Sequence, residues 1–550
     1  MPESETTAGG DGGRFAALYD DAQTFSAAIA RETRYVSKDR HLAVSGITVP
    51  HHFLVPDLIA RGYIAAARRS QPPDRIIVLF PDHFFKARKP FGVTKRGFET
   101  IFGPVDTDKA SAEALLADPD LIETSDLFAR DHGLQAHLPF IRHFFPGIKI
   151  LAIAIGVNSK RPDWDRLIDR LQPHISERTL IIQSTDYSHF LPPGEAKRHD
   201  QETLNLIATG DLAAVTRLKQ PHHMDSVGAH YIQGRLQSKL FKAGPHNIAN
   251  RGSESYATAP DGKTTSYIVA AYVRARAHNR PELYNGQKLF YFAGDTLIGR
   301  NLTRGLAKTA VQDRLITAIR AITGGHPLIV NLEGVLLEEV PETVRHLRLA
   351  MPVDLATGLL ERLNVKAAGI ANNHARDFGA QPFAEMTRYL EGAGMTPLTH
   401  GRIRDLGSFR IVALSDLSST SKPHSERITA GDIRAIRGSQ AKPPLFAFVH
   451  WGGDYALRPA RREEQLAEAL RRAGVSLIIG THPHTASPRL QALAGGETLA
   501  LHSLGNFLFD QTGIDAAGAL LEVRLFARGT FATRLISIPN FYDAIVKAEP

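Results

Sequence analysis

Cysteine is absent from all 550 residues. Disulfides, zinc–thiolate sites, iron–sulfur clusters and thiol nucleophiles are thereby excluded, so any metal must be bound by His, Asp, Glu or Asn. No uninterrupted apolar run approaches the length of a membrane span, and the opening MPESETTAGGDGGRF has no apolar core of the kind a signal peptide needs. These absences predict a cytoplasmic protein without a membrane span, opening on an unstructured tail over 1–13. Lys/Arg-dense stretches with interleaved aromatics are lacking too, which argues against nucleic acid as a partner. The formal charge of +8 is a mild excess that suits an anionic substrate, small or polymeric.

The composition, 43% hydrophobic and 22% charged, is that of a globular protein, and the length exceeds what one core supports. Short apolar runs alternate with longer amphipathic stretches, which predicts an α/β architecture in two domains. Runs at 47–49, 75–80, 148–156, 179–184 and 265–273 define a first half, 14–277. A polar, charged stretch supplies a linker, 278–287. The second half, 288–550, restarts with runs at 288–295, 327–334, 365–374, 410–417, 444–454, 475–484 and 498–510, with helical patterns at 353–363 and 462–473.

Within KAAGIANNHARDFG (366–379) the chain leaves an apolar run directly into Asn372, Asn373 and His374. One such strand end means little, because a lone His or an Asn pair there is commonly a helix cap. The same event recurs along the second half, at Asp295, Glu333, Asn373 with His374, His450, and His482 with His484. Open α/β sheets gather ligands beyond the carboxyl ends of their strands. Carboxylate, amide and imidazole donors form a set suited to Mn, Fe or Zn, and six of them exceed the needs of one tetrahedral ion, so two ions are expected. In an extended HPH turn (482–484) both imidazoles would project to one side.

GDTLIGR (294–300), NLEG (331–334), ANNHARDFG (371–379), HWGGDY (450–455), GTHPH (480–484) and SLGNFLFD (503–510) resemble, in order, the motifs of the CapA family of poly-γ-glutamate capsule biosynthesis proteins. The resemblance implies a calcineurin-like metallophosphatase fold, a four-layer α/β/β/α sandwich with a dinuclear metal site. It implies Asp295, Glu333, Asn373, His450, His482 and His484 as ligands, with Glu333 bridging and His374 as general acid. Two positions depart from the wider pattern: Leu297 stands where metallophosphatases usually place a His, and Asp454 where a Glu is more familiar. Asn506, Asp377 and Gly379 read as structural, and Trp451 as lining the pocket.

The first half repeats the strand-end logic at His51, at His83, and at Asp186 with His189, with His132 and His137 between them. GITVPHH (46–52), LFPDHFF (79–85), DHGLQAHLPFI (131–141) and QSTDYSHF (183–190) resemble the Memo-like family, specifically protein B of the AmmeMemoRadiSam system, whose fold is related to class III extradiol dioxygenases. By that resemblance His51 and His83 are ligands of one Fe or Zn, Asp186 and His189 line the pocket, and partners belong to such a system. The third ligand stays open between Asp225, which would complete a two-His-one-carboxylate face, and His132, a general base or ligand. His52 and His137 have bland readings as well.

The leading expectation is a metal-dependent hydrolase in the second half, acting on a phosphoester or polyglutamate-related anion, fused to a metal-binding domain. The rivals are a non-catalytic polyanion-binding protein of capsule polymer assembly, and Fe(II)-dependent redox activity in the first half.

Overall fold

The computed structural model describes residues 13–35, 42–257, 261–274, 288–341, 348–417, 426–439, 443–513 and 516–547. Except for Gly13, the tail over 1–13 and the linker over 278–287 lie outside the described residues. The chain divides into two compact units, one built chiefly from residues before 275 and the other chiefly from residues after 287.

In the first unit, β1 (Val44–Val49), β2 (Ile76–Pro81), β3 (Lys149–Ile155) and β4 (Leu180–Ser184) run parallel in the order β3–β2–β4–β1. Every residue of these strands except Lys149 is buried. Burial on both faces is why they read as continuous apolar runs instead of alternating ones. Three more strands, β5 (Tyr187–Leu191), β6 (Ala243–Gly252) and β7 (Thr264–Arg274), form the far edge, where β7 pairs antiparallel with β1, β5 and β6. Helices α1 (Ala22–Thr33) and α2 (Pro56–Ala67) bury Phe25, Leu58, Ile59 and Tyr63 in one core with Ile47 and Val269 of the sheet.

Among the described residues the second unit holds a two-stranded sheet, 335–337 with 350–352, and two large ones. In one, β8 (Lys288–Thr296), β9 (Leu328–Leu332) and β10 (Val365–Gly369) are parallel neighbours. In the other, β11 (Arg410–Ser415), β12 (Leu445–His450), β13 (Leu477–Thr481) and β14 (Thr498–Leu501) run parallel in that order. The first sheet is extended by β15 (Asn506–Leu508) beside β8 and by the antiparallel pair β16 (Ala519–Leu525) and β17 (Phe531–Ser537).

Side chains alternate across each strand, and the alternation assigns the layers. Ile329 and Ala367 of the first sheet share an inner core with Ile411, Phe446 and Ile479 of the second. Val330 and Ala368 face outward onto Leu315, Leu359 and Met386 of α3 (Thr309–Thr323), α4 (Val353–Arg362) and α5 (Ala380–Gly392). Val412, Ala447 and Ile478 face Ile436 and Leu470 of α6 (Ala430–Gly438) and α7 (Arg461–Arg472). The result is the α/β/β/α sandwich.

One predicted element differs. The run at 498–510 is two strands in different sheets, since β14 pairs with β13 while β15 pairs with β8. The chain crosses between layers at Gly505, where φ is 65° and a Cβ would lie 2.6 Å from the Ala486 nitrogen. His502, Ser503, Gly505 and Asn506 interrupt the apolar pattern at the crossover, but they do not say which sheet owns either half.

Two candidate metal centres

In the first unit, the carboxyl ends of β1, β2 and β4 bring His51, His83 and Asp186 together, and the loop before residues 227–236 adds Asp225. His51 Nε2 lies 3.1 Å from His83 Nε2, 3.1 Å from Asp225 Oδ2 and 3.7 Å from Asp186 Oδ2. His132 joins them: its ring centroid is 3.9 Å from that of His83, and donor atoms of His51, His83 and His132 all lie within 4.8 Å of one another. Both candidates for the third ligand, Asp225 and His132, therefore sit at the cluster. His189 and Asp186 line the cavity above it.

The hydrogen bonds behind these rings determine their tautomers. Ser184 Oγ donates to the Gly133 carbonyl at 2.6 Å, so toward His51 Nδ1, 2.9 Å away, it accepts. The His51 proton is thus on Nδ1. His83 Nδ1 donates to the Asp131 carboxylate at 2.7 Å. Two bare Nε2 lone pairs then face each other at 3.1 Å, an arrangement that is repulsive without a cation or an added proton between them. Two imidazole nitrogens on one tetrahedral ion would lie about 3.3 Å apart.

Burial works against a proton on His83, but Asp131, Asp225 and Asp186 outweigh it and raise its pKa, so without an ion a proton on His83 Nε2 fills the gap to His51, and a bound cation would take that proton's place. Burial, then the neighbouring His83, hold His51 well below its ordinary pKa, so it is neutral. Burial pushes Asp186 up to about 7 and, with the nearby Asp186 charge, raises Asp225 well above the carboxylate range. Asp225 Oδ1 and His189 Nδ1 are buried without a hydrogen-bond partner. Buried carboxylates and imidazoles that must otherwise gather extra protons to sit this close together fit a cation.

In the second unit, Asp295, Glu333 and Asn373 arrive from the ends of β8, β9 and β10, and His450, His482 and His484 from β12 and β13 of the facing sheet. Donor atoms of Glu333, His482 and His484 lie within 4.8 Å of one another. His484 Nδ1 is 3.3 Å from Asp295 Oδ2, and His450 Nε2 is 2.9 Å from Asn373 Oδ1 and 4.0 Å from Glu333 Oε1. Burial disfavours a proton on His484, but Glu333 and Asp295 outweigh it and push the group up to about 10. His482, lowered to about 4 chiefly by burial, has a buried Nδ1 without a partner. A cluster acidic enough to keep a buried imidazole protonated, next to an unpartnered ring nitrogen, fits cations as well.

His374 stands at the edge of this cluster. Its Nδ1 donates to Asp377 Oδ2 at 2.7 Å, and its Nε2 is 3.8 Å from Glu333 Oε1. Asn372 accepts from the His374 backbone N–H at 3.1 Å and donates to the Leu332 carbonyl at 2.9 Å, tying the turn after β10 to the end of β9.

Several sequence readings need correction. The HPH turn is not extended: His482 and His484 have φ of 96° and 58°, and their rings converge because the turn coils over Asp295, whose carboxylate accepts from the His482 N–H. Trp451 does not line a pocket; it is 2% exposed, donates to the His502 carbonyl at 3.0 Å and fills the helix-side core. Leu297 likewise belongs to the core under α3 and α4. Asp454 is exposed and lies 3.4 Å from His482 Nε2. His137 is fully buried beside Tyr63, and His52 lines the cavity and bonds the Tyr267 hydroxyl at 2.7 Å.

Sequence reasoning missed the residues behind the ligands. Asp131 and Ser184 orient His83 and His51, and Asn331 Nδ2 lies 2.8 Å from Asp295 Oδ1 and 3.2 Å from His450 Nδ1. Asp377, read as turn chemistry, is the orienter of His374; the three-residue spacing of H-A-R-D was the available signal. Asn506, read as support, does hold His484 Nδ1 at 2.9 Å.

Residues 17–247 match the family model described as Memo-like protein, and residues 289–410 and 408–511 match that of bacterial capsule synthesis protein PGA_cap. Among curated relatives, the PGA biosynthesis protein CapA of Bacillus subtilis (strain 168) is 29% identical over 215 residues, covering 35% of this chain and 56% of that protein. The capsule biosynthesis protein CapA of Bacillus anthracis is 28% identical over 197 residues, covering 30% and 47%. A MEMO1 family protein of Caldivirga maquilingensis is 26% identical over 194 residues, covering 33% and 65%. The chain thus spans about half the length of these CapA relatives.

Proposed function

We propose that this chain, a Memo-like domain joined to a CapA-type capsule-synthesis domain, is a metal-dependent hydrolase of an anionic phosphoester or polyglutamate-related substrate, with its reactive centre in the second unit. The observation that carries this reading is the Asp377–His374 pair: a purely structural metal site needs no imidazole held by a carboxylate at its edge, with Nε2 turned to the cluster.

Asp295, Glu333, Asn373, His450, His482 and His484 would hold the metal. Divalent ions there, Mn, Fe or Zn, would supply Lewis acidity toward an anionic oxygen and a water ionisable near neutral pH. His374 delivers a proton from Nε2 to the departing oxygen, while Asp377 keeps the other ring nitrogen protonated and the ring in place. Asn331 and Asn506 fix Asp295 and His484, so the cluster is formed before substrate arrives. The first unit is read as a separate metal pocket of the cytoplasmic protein, working with AmmeMemoRadiSam-type partners.

A second reading, a polyanion-binding protein of polymer assembly, is favoured by Leu297, an apolar core residue where metallophosphatases place a ligand. The two separate on His374→Ala. The hydrolase reading expects turnover of phosphoesters or γ-glutamyl polymers to fall by on the order of 10²-fold with metal content kept. An unchanged rate removes the proton-donor role; polyanion binding without turnover by the metal-loaded wild type would leave binding as the function.

A further inference from the structure

The cavity above the first centre has a volume of about 720 Å³, the size of a small-molecule site. Its floor carries the His and Asp cluster, but its mouth is apolar. Phe84, Phe85, Phe190 and Val157 line it and are exposed to 45%, 71%, 66% and 47%. Exposed large apolar side chains gathered at one opening mark a binding surface more often than chance placement does.

Two of these rings are held at a conformational cost. Phe85 and Phe190 have φ of 53° and 56°, the left-handed region that bulky residues avoid. Such strain persists where surrounding structure imposes it, and it clusters at ligand clamps. Here the imposing contacts are visible. Asp82 accepts from the Phe84 N–H at 3.1 Å and the Ala87 N–H at 2.7 Å, pinning the Phe84–Phe85 loop. The backbone N–H groups of Ser188 and His189 donate to the carbonyls of His223 and Pro221, pinning the loop that shows Phe190.

Charge narrows the ligand. Asp82, Asp186 and Asp225 line the cavity, and among the described residues no Lys or Arg does. An anion of the kind expected for the second unit would find no Lys or Arg side chain there to pair with.

We propose that this cavity binds an uncharged small molecule bearing an aromatic ring, with the ring clamped by Phe84, Phe85 and Phe190 and its polar end toward the His/Asp floor. The inference rests on reading the first unit as a ligand-binding pocket, but not on that pocket's metal. The test is fluorine NMR on the full chain as purified, with 4-fluorobenzamide, fluoroacetamide and 4-fluorobenzoate as probes. The first two share a head and differ in the ring; the third keeps the ring and adds a charge.

4-Fluorobenzamide should broaden several-fold while fluoroacetamide does not, and 4-fluorobenzoate should bind about 10-fold or more weakly. The double variant F85G/F190G should lose most of the broadening with an unchanged or higher Tm, since glycine accepts left-handed φ without strain; Tyr455→Ala, in the other unit, should keep it. Equal broadening of the two amides, full broadening in the double variant, or a fall in its Tm would each overturn the clamp, the last by making the rings structural. Ring binding by protein whose first unit holds no metal would remove the metal reading and leave this inference standing.

Discussion

His51 and His83 of the first unit are oriented from behind by Ser184 and Asp131, whereas His450 and His484 of the second take Asn331, Thr481 and Asn506 as backing. The difference follows from where each centre keeps its negative charge. In the second unit, Asp295 and Glu333 stand inside the cluster, so neutral amides and a hydroxyl suffice behind the rings. In the first, burial raises Asp186 and Asp225 toward their neutral forms, and the carboxylate behind His83 carries part of the load. A centre with buried, proton-seeking carboxylates and an apolar mouth suits a different ligand from one built of carboxylates and imidazoles and edged by His374.

The comparison breaks most clearly on single-ligand deletions. His83→Ala should empty the first centre and leave the second filled, and His482→Ala should do the reverse, each loss exceeding the 10- to 100-fold that supporting residues cost. Elemental analysis of the two variants checks it; parallel loss from both would mean the centres are not independent.

Next in size are the supporting residues. Asp131→Asn should weaken metal affinity in the first unit about 10- to 100-fold, because it removes the charge and puts the His83 tautomer in doubt. Asn506→Ala should stay at or below the low end of that range, since a neutral partner is lost. Metal titration of both variants would reverse the proposed division of charge if Asn506 proved the costlier.

The smallest effect concerns His137. Burial lowers it to about 3, against an ordinary value of 6.5, and neither ring nitrogen has a partner. Above pH 6.5 both folded and unfolded chains hold it neutral. As pH falls from 6.5 toward 3, the unfolded chain takes up a proton that the folded chain refuses, so stability is lost through that window. His137→Leu should remove this loss, gaining about 2 kcal/mol at pH 5 relative to its effect at pH 8. Denaturation at the two pH values measures it, and a gap independent of pH would show that His137 does find a proton partner.

Much of this was legible beforehand. Runs such as 75–80 and 179–184 became β2 and β4 almost residue for residue, because strands buried on both faces must be apolar throughout. The polar residues that ended those runs stood out for the same reason. The residues behind them did not: Asn331 sits inside an apolar run, Ser184 looks like a strand terminus, and Asp377 looks like a turn former. Their roles depend on which atom lies 3 Å away across residues distant in sequence.

What the sequence determined by itself is the inventory: no thiols, two α/β halves, and imidazoles, amides and carboxylates delivered to strand ends, all consequences of residue type and local periodicity. Tertiary structure alone decided that His51 and His83 turn their Nε2 atoms to each other 3.1 Å apart, that 498–510 is shared between two sheets, and that Phe85 and Phe190 stand in the open at a cavity mouth. Those outcomes depend on distances between segments far apart along the chain, which periodicity does not encode.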